Sequence, residues 1–274
     1  MKNVKFYKKG LAILGVASTL LLTGCDEKDF VSIDANKSNM IDSNVEGDTS
    51  IEPQVLDIDG ENFKLVVKYS INNDENSKWR ITSDKDLYIE AYTQGLPKGY
   101  KVWIDNVHID TFIVSTSPYF NGIQQDTMDD RIHTSFLMGF PISDDVHYSS
   151  INQIAGQNDD FITGTYYGMV GDGTGTASGS IEQKRYIDED YLEKGVYANE
   201  IGLVYGLLIQ GPDDSEPYGI DVKSKVFVTV YNRVEKYDTT KNVINVYQYD
   251  MKGNKVLVNS YSYEEEAKKL QLTE

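Results

Sequence analysis

Alternation constrains this chain more than any other feature. Phe63, Leu65, Val67 and Tyr69 alternate with Lys64, Val66 and Lys68, the period of two that turns one side of a strand to a core and the other to water. Trp79 and Ile81 alternate in the same way with Lys78 and Arg80, and the runs 87–93, 100–104, 107–114, 196–209, 221–232, 243–249 and 256–263 are rich in β-branched and aromatic residues. Turn-forming stretches separate them at 72–76, 95–99, 211–214, 217–219 and 250–254. Asp105-Asn106 either closes a tight hairpin between 100–104 and 107–114 or marks a bulge in one long strand. Pro118, Asn121-Gly122 and Pro141 cut the middle into short pieces, where 132–140 and 161–167 are the expected strands. Residues 168–179 read as a flexible glycine-rich excursion, and 188–194 as a short helical turn stopped by Gly195. The pattern predicts an all-β fold, an antiparallel β-sandwich of immunoglobulin-like or related Greek-key type, over residues 58–263, with very little helix. One sandwich or two small β units both satisfy it, and 264–274 is a short helical or disordered tail.

The N-terminus follows a different rule. Lys2, Lys5, Lys8 and Lys9 precede an apolar run, 11–22, that is too short for a membrane-spanning helix; Thr23 and Gly24 then lead into Cys25, the single cysteine of the chain. Leu22-Thr23-Gly24-Cys25 resembles the lipobox of bacterial lipoprotein precursors. The resemblance covers residues 1–25. It implies that 1–24 are removed as a signal peptide and that the Cys25 sulfur carries diacylglycerol, with palmitate-type acyl chains holding the protein on the outer face of the bacterial cytoplasmic membrane. Two buried acyl chains anchor stably where one is marginal. An ordinary secretory signal is the alternative, and it would leave an unpaired thiol on a secreted protein. With one cysteine no internal disulfide forms, so stability rests on packing.

Charge narrows the partners. The formal net charge of −17 becomes −21 once four lysines leave with residues 1–24, because 22 Lys and Arg then face 43 Asp and Glu. A polyanion gains nothing from such a surface, so nucleic acid is excluded as a partner, and contact with anionic lipid falls to the acyl chains. Residues 26–57 hold nine acids against Lys28 and Lys37 and no sustained apolar period. Residues 25–57 therefore read as a lipidated cysteine and a flexible acidic tether with a coil span of about 30 Å; a short edge strand around 55–58 is the alternative for its last residues.

Candidate chemistry is sparse. On a strand, His108 and Asp110 share a face with Asp105 close by, which suits a metal assembled across strands; a simply packed or solvated histidine is the plain alternative. Loop acids, among them Asp129 and Asp130, offer hard oxygen ligands that a weakly bound Ca2+ would accept, although none has the twelve-residue calcium-loop spacing. No other cofactor is expected: the glycine-rich segment lacks the lysine and helix of a phosphate loop. The tyrosine pairs Tyr166 and Tyr167, Tyr247 and Tyr249, and Tyr261 and Tyr263 offer flat rings for stacking on sugars or gripping a peptide, unless they simply express β propensity. Tyr249-Asp250 followed by Gly253-Asn254 resembles one unit of the tyrosine-aspartate repeats of bacterial surface proteins, over about a dozen residues. These features give a membrane-anchored, extracytoplasmic binding or accessory module for an envelope protein or glycan. An envelope hydrolase using loop carboxylates, with two acids converging in a deep pocket, and a purely structural envelope component are the alternatives.

Overall fold

The computed structural model describes residues 39–74, 77–117, 120–132, 138–157, 165–170, 175–180 and 187–264, the two segments between 165 and 180 by their backbone. In chain order the elements are β1 (Met40–Ile41), β2 (Gly47–Ser50), β3 (Gln54–Asp57), β4 (Lys64–Asn73), β5 (Lys85–Gln94), β6 (Lys101–Ser115), β7 (Gln124–Arg131), β8 (Phe140–Ile142) and β9 (Tyr148–Ile154). They continue with β10 (Thr165–Val170), β11 (Gly175–Ser180), α1 (Asp188–Glu193), β12 (Val196–Gln210), β13 (Tyr218–Thr229), β14 (Arg233–Asp238), β15 (Val243–Tyr249) and β16 (Lys255–Ser262). The protein is all-β and sandwich-like, with one short helix among the described residues.

Two sheets make the body. One runs β1-β13-β12-β6-β7 with β8 also on β6, and the other runs β2-β4-β5-β9 with β3 also on β4. Every pairing is antiparallel except β1 with β13. The alternation seen in the sequence explains how they pack. Phe63, just before β4, with Leu65, Val67 and Tyr69 of the second sheet and Ile201, Leu203, Tyr205 and Leu207 of the first all enter one buried cluster. Inside it the Tyr69 and Tyr205 hydroxyls meet at 2.9 Å, and Tyr69 donates to Ser224 Oγ at 2.9 Å, so the two buried phenols satisfy each other. Burial pushes the Tyr69 hydroxyl up to about 12.

A smaller cluster closes one end of the sandwich. It joins Ile113, Phe120 and Ile123 to Tyr191 and Leu192 of α1 and to Tyr249 of the third sheet, β14-β15-β16. Thus the C-terminal hairpin expected at 243–263 is present, extended by β14. Close by, Trp79 Nε1 donates to Asn199 Oδ1 at 2.9 Å, and the buried Lys85 ammonium reaches the carbonyls of Arg80 and Ser83 at 2.8 and 3.2 Å.

Several expectations change. Residues 40–57, expected within the tether, form β1, β2 and β3, because Ile41 and Ile58 bury completely or nearly so and carry the intervening acids into edge pairings. Cys25 and the rest of the tether lie outside the described residues. Of the two readings left open for 100–114, the single bulged strand is the one formed, at 101–115: Gly206 faces Asn106 and Leu207 faces Ile104, so Asp105 is the extra residue of a bulge. The glycine-rich excursion at 168–179 is largely a hairpin, with β10 and β11 paired from Thr165 with Ser180 to Val170 with Gly175. The acids at 126–130 sit on β7, an edge strand, rather than in a loop.

Candidate functional site

An open groove lies on the outer face of the second sheet. There the outward positions of β4, β5 and β9 stand in register: Ser70 beside Tyr88 beside Ile151, then Lys68 beside Glu90 beside Ser149. Their inward neighbours, Tyr69 and Ile89, are buried, so alternation fixes these side chains outward. The link between β2 and β3, Ser50 to Pro53, rises along one side and leaves an open groove of about 790 Å³. That size falls within the range of roughly 300–1,000 Å³ usual for small-ligand sites. Ile151 is exposed at 64%, a large apolar contact facing the groove.

Glu90 is the electrostatic centre. Its carboxylate accepts Lys68 Nζ at 3.0 Å and His147 Nδ1 at 2.6 Å. Partial burial raises the carboxyl's pKa, but the hydrogen bonds and charges of Lys68 and His147 outweigh this and hold it below the usual range. His147 lies stacked on Tyr92 with ring centroids 4.1 Å apart, and Lys68 Nζ sits 5.2 Å from the same ring centre. Tyr92 is thereby engaged, leaving Tyr88 as the aromatic ring lining the groove. The arrangement provides an ionised acceptor, an ammonium donor, the hydroxyls of Ser70 and Ser149, and one ring face in a shallow row.

The histidine cluster foreseen in the sequence also forms, but as a hydrogen-bonded bridge. His108 Nδ1 lies 2.7 Å from Asp129 Oδ1, and Nε2 lies 3.1 Å from Asp110 Oδ2. The Asp129 hydrogen bond, followed by the Asp110 contact, raises the imidazole above its ordinary value against modest burial. Both ring nitrogens are therefore committed to carboxylates, and a metal would have to displace them. Asp130 turns the other way and accepts the Tyr148 hydroxyl at 2.8 Å. Asp105, at the bulge, is not part of the bridge. No group of three or more His, Cys, Asp or Glu is disposed to hold a metal among the described residues. Several of the acids instead bind backbone N–H groups. Asp126 accepts from Ala155, Asp214 from Gly211, and Asp144 from Gly95 and Leu96, each between 2.7 and 3.2 Å. His133 lies outside the described residues.

The tyrosine candidates divide. Tyr249 is buried, and its hydroxyl donates to Glu189, so it cements the fold and offers no ring to a ligand. Tyr247 carries Lys255 Nζ 4.4 Å from its ring centre. Tyr263 packs on Tyr237 at 4.9 Å, and Tyr261 is partly buried beside it in sequence. The side chains of Tyr166 and Tyr167 lie outside the described residues. The Tyr88, Glu90, Lys68 and His147 set did not emerge from the sequence, although the row Asp86, Tyr88, Glu90, Tyr92 alternating with Leu87, Ile89 and Ala91 was its visible signal. No protein-family model matches the chain, and no curated protein matches it.

Proposed function

We propose that the protein is a lipid-anchored, extracytoplasmic binding module, tethered through Cys25, whose groove over β4, β5 and β9 takes an envelope glycan. The observation that carries the reading is the in-register row Ser70-Tyr88-Ile151 beside Lys68-Glu90-Ser149, with Glu90 held ionised. A sugar ring presents an apolar face that stacks on tyrosine and hydroxyls that pair with a carboxylate, an ammonium and serine hydroxyls. An extended peptide draws much of its affinity from a free strand edge, whereas the groove presents a sheet face. The anchor rests on the Leu22-Thr23-Gly24-Cys25 resemblance.

Two measurements test it. Mass spectrometry of the N-terminus from the native host should find diacylglycerol on Cys25; a free thiol there removes the anchor. Titration with oligosaccharides of N-acetylglucosamine, as a wall-glycan probe, should show saturable binding that Tyr88→Ala weakens by roughly 1–3 kcal/mol, the scale of losing an aromatic contact. Binding that is absent, or indifferent to both Tyr88→Ala and Glu90→Gln, sinks the groove reading.

A further inference from the structure

Six of the twelve large hydrophobic side chains exposed among the described residues crowd into the small third sheet and its turns: Tyr237, Met251, Val256, Leu257, Val258 and Tyr263. Three of them are consecutive on β16, at 56%, 53% and 49% exposure. Among the described residues β16 pairs on one side only, with β15, so its other side is a strand edge. No charged side chain stands between Lys255 and Glu264, and no proline interrupts the strand. Natural edges are normally guarded by such residues; β16 has only a bulge, at Val258, where Val246 faces Asn259 and Tyr247 faces Leu257.

Charge separates this sheet from the rest. Residues 233–262 hold five Lys and Arg against three Asp and Glu, a net of +2, whereas residues 39–232 hold 13 against 32, a net of −19. Two copies meeting through the rest of the body bring large like charges together, whereas here each brings a net of only +2 and the repulsion is far weaker.

We propose that β16 is a self-association edge, on which the β16 strands of two copies pair antiparallel about a two-fold axis and merge two three-stranded sheets into one of six. Antiparallel edge pairing is self-complementary, as a two-fold interface must be. The uncharged Val-Leu-Val run has no feature that would select an oppositely charged partner, and a strand of its own composition satisfies both the aliphatic side chains and the outward N–H and C=O groups. A lipid surface would cover the side chains and leave those backbone groups without partners.

Cysteine scanning of the full chain in its host membrane tests this, since Cys25 is the only native cysteine and the unsubstituted chain is the control. Facing residues of an antiparallel pair lie about 4.5–5.5 Å apart at Cα, within disulfide reach. Single substitutions from Val256→Cys to Ser262→Cys should give disulfide-linked dimers that peak at the position on the two-fold axis and fall off on both sides. Adding Leu257→Lys should cut the yield at that peak several-fold. A flat or empty profile, an adduct with the mass of a different protein, or a yield indifferent to Leu257→Lys overturns the proposal. So does a chain that stays monomeric yet binds anionic vesicles through Leu257, which would assign the strand to lipid.

Discussion

Glu189 shows how much one side chain decides. It sits in the first turn of α1, where a carboxylate also suits the helix N-terminus, and its side chain is 13% exposed. Lys236 and Lys255 reach it at 2.7 Å each, and the Tyr249 hydroxyl donates to it. One acid from the body thus ties down β14, β15 and the start of β16. Burial raises the Glu189 pKa, but hydrogen bonds from Lys236, Lys255 and Tyr249 reverse this and hold it at about 2. An unfolded glutamate titrates near 4.3. Because the folded value is the lower one, the stabilisation is complete above the unfolded pKa and is lost as pH falls from about 4.3 toward 2. Glu189→Gln should cost about 2 kcal/mol at neutral pH, the loss of charge-assisted hydrogen bonds with two lysines left behind. Calorimetry should then record a melting temperature lower by roughly 4–8 °C. The gap between variant and parent should narrow as pH falls below about 4.3 and close at about pH 2; a gap that stays constant over that range would show that Glu189 acts through packing rather than charge.

At the scale of elements, the junction between the third sheet and the helix depends on the turn that joins β15 to β16. Asp250 organises it, accepting the N–H groups of Lys252 and Asn254 at 2.8 and 2.9 Å. Gly253 then takes a left-handed φ of +78° and passes so close to α1 that a Cβ would lie 2.3 Å from the Glu193 carbonyl oxygen. Gly253→Ala should therefore cost about 2–4 kcal/mol, conformational strain plus a collision with backbone that cannot swing away. Gly60→Ala is the comparison: φ is +85° with nothing within 4 Å, so only the conformational cost of about 1–2 kcal/mol applies. Hydrogen exchange should show amides of β15 and β16 losing protection in Gly253→Ala while those of β12 keep it. Equal loss in the two strands would mean that the sheet and sandwich unfold as one unit.

The same elements show what the sequence could reveal. Strands with one buried face, such as β4, β5 and β12, announce themselves because burial demands alternation. Edge strands escape that demand: the residues of β7, Gln-Gln-Asp-Thr-Met-Asp-Asp-Arg, are nowhere fully buried and include one apolar side chain, Met128, so no alternation marks them, and β2 is concealed for the same reason. Candidate sites were legible only within a strand. His108 and Asp110 share a face two residues apart, but Asp129 joins them through the register of β6 with β7. Lys68, Glu90 and His147 come together only through the registers of β4 with β5 and β5 with β9, which no local pattern encodes.

For the whole molecule, the balance between attraction and repulsion among charges sets how it answers to salt. Close pairs such as Lys68 with Glu90 and Lys236 with Glu189 attract over 3 Å or less and are half-buried, so added ions screen them weakly. Repulsion acts over longer distances among the excess acids, since residues 39–232 carry a net of −19. At about 10 mM salt the screening length, about 30 Å, spans a domain of this size, and at 1 M it shrinks to about 3 Å. The long-range term is therefore the one that salt removes. Melting temperature should rise as NaCl goes from about 10 mM to about 1 M, by a few degrees, corresponding to roughly 1–2 kcal/mol of relieved repulsion. Differential scanning calorimetry across that series decides the sign, and a falling melting temperature would mean that the local ion pairs outweigh the net charge. The same titration reaches the groove from another direction. A neutral oligosaccharide held by stacking and hydrogen bonds should bind with an affinity that hardly changes over the salt series, whereas a charged ligand competing for Lys68 or Glu90 should weaken steadily along it.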